Sequence, residues 1–121
     1  MKIKTSELTG IALDWAVTFA LYGEQAHYIY KHNAGFHRYS TSWERGGPII
    51  EGEGIAVLPP TVRRISKERH AFPVPYWRAL IQRDDNELAI HGAGPTPLIA
   101  AMRCFVASRL GDEVEVPDEL A

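Results

Sequence analysis

The segment TPLIAAMRCFVASRLG, residues 96–111, constrains the fold more than any other part of the sequence. Thr96 before Pro97 is typical of a helix start, because threonine caps free N–H groups and proline fits the first helical position. Gly111 is typical of a helix end. Apolar side chains recur between these signals at helical spacing: Leu98, Met102, Phe105 and Val106. The sequence therefore predicts a largely buried helix over residues 97–110.

A second amphipathic helix is predicted near residues 6–22, where Trp15 and Phe19 belong to an apolar series of helical spacing. Ser6 or Thr5 can cap this helix, and Gly23 can end it in a left-handed conformation. Between the helices, the aromatic and β-branched segment AHYIYKHN, residues 26–33, predicts a strand. The Gly-Gly-Pro motif predicts an ordered loop over residues 43–48.

Further strands are predicted in the second half of the chain. GIAVLPP reads as a short strand ended by two prolines, and WRALIQ with ELAIH reads as a hairpin joined by the polar turn RDDN. The order of helix, strands and helix lacks regular β-α-β alternation. We therefore expect a single α+β domain over residues 1–121. In this domain the two main helices pack on one face of a small antiparallel sheet, and the acidic tail, residues 112–121, is peripheral.

Composition places the chain among globular proteins that carry no membrane span. Apolar residues make up 45% of the chain and charged residues 23%, and the N-terminal sequence lacks the apolar core of a secretory signal. Cys104 is the single cysteine, so no internal disulfide is expected, and its apolar neighbours predict a buried thiol. These features predict a cytoplasmic setting.

Charge does not favour nucleic acid as a partner, because the formal net charge is −2. The basic segment RRISKERH, residues 63–70, is a local exception that can attract phosphates. Glu68 interrupts it and no aromatic residue is interleaved, so a solvated surface face is the competing interpretation.

Catalytic and metal-binding patterns are weak. The five histidines form no metal-binding spacing, so neither a metal nor a cofactor is expected. Glu51 and Glu53 alternate along a predicted strand, where they are either a carboxylate pair or solvated side chains. An enzyme is therefore not indicated.

The start of the C-terminal helix and one arginine inside it are the main candidates for a binding site. Gly94 and the N–H groups after Thr96 can form an anion pocket, although every helix start needs such caps. Arg103 is the one charge between Leu98 and Ser108. Its guanidinium can bind carboxylate, phosphate or an aromatic face, or it can form a structural ion pair with Glu51 or Glu87.

Several stretches resemble a known family. KTSELTG with LDWAV, GGPIIE after a tryptophan, the Trp-x-Ala of residues 77–79, and GPTPLIAAMRCFVASRLGDEVEVP are similar to the NinX-type family of small phage and prophage proteins. The resemblance runs end to end, but residues 26–40 and 59–76 carry little of the pattern. It implies a phage accessory protein made in the host bacterial cytoplasm, and it transfers no catalytic residues.

Two functions remain open. The first is a non-catalytic binder of a small anionic ligand such as a host nucleotide signal used in defence. Its predicted ligand-binding residues are Trp43, Gly46, Gly47, Trp77, Gly94, Thr96 and Arg103. The second is an interaction module that binds a host or phage protein through an aromatic patch at residues 39–43 or 75–77. A homodimer is expected in either case, since a short sheet leaves edges to cover.

Overall fold

The computed structural model describes residues 1–32, 37–61, 74–82 and 89–121, and the elements below belong to these ranges. In chain order the elements are β1 (Lys2–Lys4), α1 (Gly10–Tyr22), α2 (Ala26–His32), α3 (Trp43–Glu53), β2 (Ala56–Leu58), β3 (Trp77–Ile81), β4 (Ile90–Gly94), α4 (Pro97–Leu110) and β5 (Glu113–Glu115). Short 3-10 turns lie at Thr5–Glu7, Gly23–Gln25 and Asp118–Leu120. The predicted α+β class is confirmed.

The strands form two antiparallel sheets. β2, β3 and β4 follow one another in a three-stranded sheet, in which Ala79 of β3 faces Gly92 of β4. The predicted short strand and the antiparallel pairing of the hairpin are thus confirmed. The second hairpin strand spans Ile90–Gly94 and not residues 87–91, and the RDDN turn lies outside the described residues. β1 and β5 form a separate two-stranded sheet with Ile3 opposite Val114. The segment expected to be a peripheral tail therefore contributes a strand, and Val114 and Val116 are buried in the core.

Helix α4 is the centre of the fold. It begins and ends where the sequence predicts, with the Thr96 hydroxyl accepting a hydrogen bond from the Ile99 N–H and Gly111 at positive φ. It packs against β3 and β4, and α1 packs mainly against α4. Five of the predicted core side chains are buried: Trp15, Leu98, Met102, Phe105 and Val106. The sixth, Phe19, is partly buried against the core.

Three local predictions were wrong. Helix α1 starts at Gly10 and not at Ser6, because Gly10 has a positive φ and residues 5–7 form a separate 3-10 turn. Residues 26–32 are helical and not a strand, since Ala26 is buried and Ile29 is partly buried, a spacing that suits one helix face. Here packing overrides the β propensity of the aromatic residues.

The predicted Gly-Gly-Pro loop is the third error, because residues 43–53 form helix α3 with Pro48 inside it. Gly46 is buried there, and a Cβ added to it would lie 2.5 Å from the Tyr39 carbonyl oxygen and 2.6 Å from Leu98 Cδ2. The glycine therefore permits close packing of α3 and is not needed for a turn. Glu51 and Glu53 consequently lie on a helix, and Glu53 pairs with Arg109 of α4.

A buried carboxylate connects α1 to the segment before α3. Asp14 is 7% exposed, and its Oδ1 accepts hydrogen bonds from the Ser40 N–H at 2.9 Å and from the Ser40 hydroxyl at 2.7 Å. Burial raises the pKa of Asp14 above its usual value, and the Ser40 hydrogen bonds oppose that rise.

Within the described part of the chain, no helix has both the length and the apolarity needed to cross a membrane.

Two glycines of α3 should respond in opposite ways to alanine. Gly46→Ala should destabilise the protein by about 1–3 kcal/mol, because the new methyl overlaps the backbone. Gly52→Ala is the matched control, since a Cβ there meets nothing within 4 Å and alanine favours the helix by roughly 0.5–1 kcal/mol. Urea unfolding of both variants measures the difference, and equal effects would contradict this packing.

Substitution of Asp14 should separate its hydrogen bonds from its charge. Asp14→Ala leaves the two Ser40 donors without their acceptor, which should cost about 1–3 kcal/mol. Asp14→Asn keeps an acceptor and removes the buried charge. Because the folded-state pKa is raised, ionisation of wild-type Asp14 lowers the stability as the pH rises from 3.8 through that pKa.

The free energy of unfolding of Asp14→Asn relative to wild type should therefore increase over that pH range and then level off. Urea unfolding at a series of pH values measures it. A difference that does not vary with pH would show that the charge of Asp14 is not disfavoured by the fold.

Candidate functional site

A cleft of about 490 Å³ lies where β1 and the turn after it meet β4 and α4. Its walls carry three cationic side chains, two carboxylates, one histidine and one exposed aromatic ring: Lys4, Arg78, Arg103, Asp112, Glu113, His91 and Tyr76. β4 is the outer strand of its sheet among the described residues, so the cleft opens along a sheet edge. This volume falls in the range of pockets that hold small ligands.

Close packing of α4 on the sheet brings Arg103 to this edge. The Arg103 Nε donates to the Leu8 carbonyl and Nη1 donates to the Ala93 carbonyl, both at 2.8 Å. These bonds hold the plane of the guanidinium between the turn after β1 and strand β4. The side chain is therefore a structural clamp as well as a wall of the cleft.

The charge of Arg103 is not neutralised within the described residues. Both of its acceptors are uncharged carbonyls, and the ion pairs found there involve Met1 and Arg109 as cations. The structural ion pair with Glu51 is therefore not formed, and Glu87 lies outside the described residues. Burial lowers the pKa of Arg103, but an arginine stays protonated at neutral pH.

Arg78 is a second arginine in the cleft, and sequence reasoning missed it. It projects from β3, is half-buried, and its Nε is fully buried without a hydrogen-bond partner among the described residues. A buried donor without an acceptor is costly and uncommon. The signal was present, since Arg78 is the one charge in WRALI, as Arg103 is in its own helix segment.

The remaining walls of the cleft come from three segments. Tyr76, directly before β3, is 44% exposed, and His91 is an exposed residue of β4. Asp112 and Glu113 follow the end of α4, and Glu113 lies opposite Lys4 in the β1–β5 register. Three cationic side chains and two carboxylates give the lining a net charge of +1, with His91 counted as neutral. The carboxylates and the arginines stand on different elements.

Of the predicted ligand-binding residues, Arg103 alone lines this cleft. Trp43 is the first residue of α3 and is 56% exposed, and Gly46 and Gly47 follow in the same helix. Trp77 is partly buried against the core and, as the neighbour of Arg78 in a strand, points to the opposite face. The structure therefore does not bring these residues together with Arg103, and their ligand role stays a prediction.

Hydrogen bonds within the chain already use backbone N–H groups at the start of α4. The Thr96 hydroxyl accepts from the Ile99 N–H at 3.1 Å, the Thr96 carbonyl accepts from the Ala100 N–H at 3.0 Å, and Pro97 has no N–H. A Cβ on Gly94 would lie 2.8 Å from Ile99 Cγ2, so this glycine admits the helix. The first turn offers few free N–H groups to an anion.

Cys104 and the predicted aromatic patch at residues 39–43 do not line the cleft. Cys104 is fully buried, as predicted, and burial raises the pKa of its thiol to about 11, which suits an inert packing role. The basic segment 63–70 lies outside the described residues. Tyr39 is only 5% exposed, so the predicted aromatic patch at 39–43 consists mainly of Trp43.

Comparison with protein families gives the class of the chain. Residues 4–109 match the family described as Bacteriophage P22, NinX, so the chain belongs to this family and is a phage accessory protein. The resemblance seen in the sequence is thereby confirmed. No curated protein matches the chain.

Proposed function

We propose that this protein captures a small anionic ligand, such as a host nucleotide signal used in defence, in the cleft beside β4. One observation carries the proposal: Arg78 and Arg103 line the same cleft, and neither guanidinium forms an ion pair with a described carboxylate. An anion in the cleft would supply a charged partner for both side chains. Charge-assisted hydrogen bonds of this kind are among the strongest in proteins.

Arg103 supports the same proposal from the neighbouring wall. Its Nε and Nη1 are held by carbonyls, which fixes the guanidinium before any ligand arrives and lowers the entropic cost of binding. Its charge has no carboxylate partner among the described residues. Two arginines in one cleft, neither in an ion pair with a described residue, suit phosphate or carboxylate better than a neutral ligand.

Tyr76 adds a surface for the flat part of a nucleotide. Its exposed ring lies on the same cleft as the arginines, and base stacking on an aromatic ring contributes about 1–3 kcal/mol. In this proposal Tyr76 takes the place that the sequence suggested for Trp43 or Trp77. The proposal involves binding and no catalytic step.

Arg78→Met should test ligand binding with the least effect on stability. Because Arg78 Nε has no partner in the described structure, its removal should leave the free energy of unfolding unchanged or slightly increased. Loss of one charge-assisted hydrogen bond should weaken ligand binding by about 10- to 100-fold. Calorimetric titration of wild type and variant with mono-, di- and cyclic nucleotides, together with urea unfolding, measures both effects.

Two controls separate the site from general charge and from stability. Lys2→Met removes an exposed cation of β1 that does not line the cleft, so binding should stay at the wild-type level. Thr96→Ala should cost about 1 kcal/mol of stability through the lost cap without weakening binding. If wild type binds no member of the panel, or if Arg78→Met binds as well as wild type, ligand capture in this cleft is refuted.

Protein binding is supported by a different observation. Helix α1 carries one charged residue, the buried Asp14, while three of its apolar side chains are well exposed: Ile11, Leu21 and Tyr22. Residues 12–18 of α1 are buried within the protein, so the exposed apolar side chains lie at its two ends. We propose the C-terminal end of α1, with Leu21 and Tyr22, as the contact through which the protein self-associates or binds a host or phage protein.

Replacing Leu21 by Gln should test the C-terminal end of α1. If it joins two copies, light scattering at tens of micromolar should give a dimer mass for wild type and a shift toward the monomer for Leu21→Gln. Glu24→Gln, a change of an exposed residue just beyond α1, should leave the mass unchanged. A monomeric wild type would exclude the homodimer and leave a different partner for this end of α1.

A further inference from the structure

The carboxylates of the cleft carry a second inference, which rests on the proposed function. Asp112 and Glu113 line the same 490 Å³ space as Arg78 and Arg103. Neither carboxylate forms an ion pair with a described residue. The lining therefore offers both cationic donors and carboxylate acceptors, and no ion pair joins the two kinds of charge within the described residues.

We propose that the cleft selects an anion of low charge that also carries hydrogen-bond donors, such as a nucleoside monophosphate, over a nucleoside triphosphate. The phosphate would lie at the arginines, and an amino or hydroxyl group of the base or sugar would donate to Asp112. Additional phosphates would be repelled by the two carboxylates. Selectivity here comes from repulsion of the wrong ligand as much as from attraction of the right one.

The charged groups of the cleft stand on three parts of the chain. Arg78 projects from the face of β3 opposite the core residue Ala79, Arg103 reaches the cleft from α4, and the carboxylates stand on the segment after α4. Lys4 lies opposite Glu113 in the β1–β5 register, so part of the Glu113 charge is offset by a neighbouring cation. Asp112 has no such cross-strand partner, and the main acceptor is therefore assigned to Asp112.

Calorimetric titration with adenosine 5′-monophosphate, adenosine 5′-triphosphate and ribose 5-phosphate tests the proposal. For wild type at physiological salt, the monophosphate should bind at least about fivefold more tightly than the triphosphate, the size expected for one exposed like-charge contact. It should also bind more tightly than ribose 5-phosphate, which has no base. Asp112→Asn should bring the affinities of the two nucleotides together by raising that of the triphosphate.

Two further variants keep the result interpretable. Glu113→Gln should act in the same direction but less strongly, because Lys4 already offsets that charge, and it substitutes for Asp112→Asn if the latter does not fold. Glu51→Gln, an exposed carboxylate on α3 outside the cleft, should leave the ratio unchanged.

The outcomes separate the two proposals. If the triphosphate binds wild type as tightly as the monophosphate, or if neither carboxylate variant changes the ratio, selectivity is overturned, while binding that depends on Arg78 still supports ligand capture. If none of the three compounds binds wild type, selectivity for nucleoside monophosphates is overturned as well, and the wider nucleotide panel then decides whether the cleft captures an anion at all.

Discussion

The arrangement of this protein depends on how closely α4 approaches β4. A Cβ on Gly92 would lie 2.4 Å from the Ala100 carbonyl oxygen and 2.5 Å from the Cys104 nitrogen, so no other residue fits without moving the helix or the strand. With glycine there, backbone packs on backbone, and apolar side chains fill the space on both sides. Such close packing fixes the position of the helix relative to the sheet.

Arg103 reaches the sheet edge because of that close contact. It precedes Cys104, so its side chain leaves α4 at the level of β4 and reaches around the outer strand to the Ala93 carbonyl. The same guanidinium also binds the Leu8 carbonyl, which joins the N-terminal turn to the sheet edge. Thr5 strengthens this junction by donating from its hydroxyl to the Gly111 carbonyl at 2.6 Å and from its N–H to the Asp112 carbonyl at 2.8 Å. The walls of the cleft are therefore held together by structural hydrogen bonds.

The sequence allowed α4 to be predicted because its signals are local and agree with one another. Capping by Thr96, Pro97 at the first position and Gly111 at the end all act within a few residues of the helix they define. The hairpin could also be predicted, because runs of β-branched and aromatic residues are typical of strands with a half-buried surface. By contrast, Gly46 belongs to a motif that locally favours a turn, and only the neighbouring Tyr39 and Leu98 explain its place in a helix.

The candidate site could be predicted only in part for the same reason. Arg103 was identified because a single charge in an apolar helix is visible in the sequence, and the same criterion applied to β3 would have found Arg78. Asp112, Glu113 and Lys4 could not be assigned to it, because charged residues near chain ends are usually solvated, and the pairing of β1 with β5 is what places them beside the arginines.

The two arginines differ in what they contribute to the fold, and that difference has a physical consequence. Arg103 stabilises the free protein through two hydrogen bonds, so its loss would disturb the cleft and the fold together. The buried Nε of Arg78 is desolvated without compensation in the described structure, which destabilises the free protein. Arg78 also lines the cleft, so keeping an arginine there sacrifices stability for a charge that a ligand can use. Arg78 is therefore the residue at which stability and binding are expected to change in opposite directions.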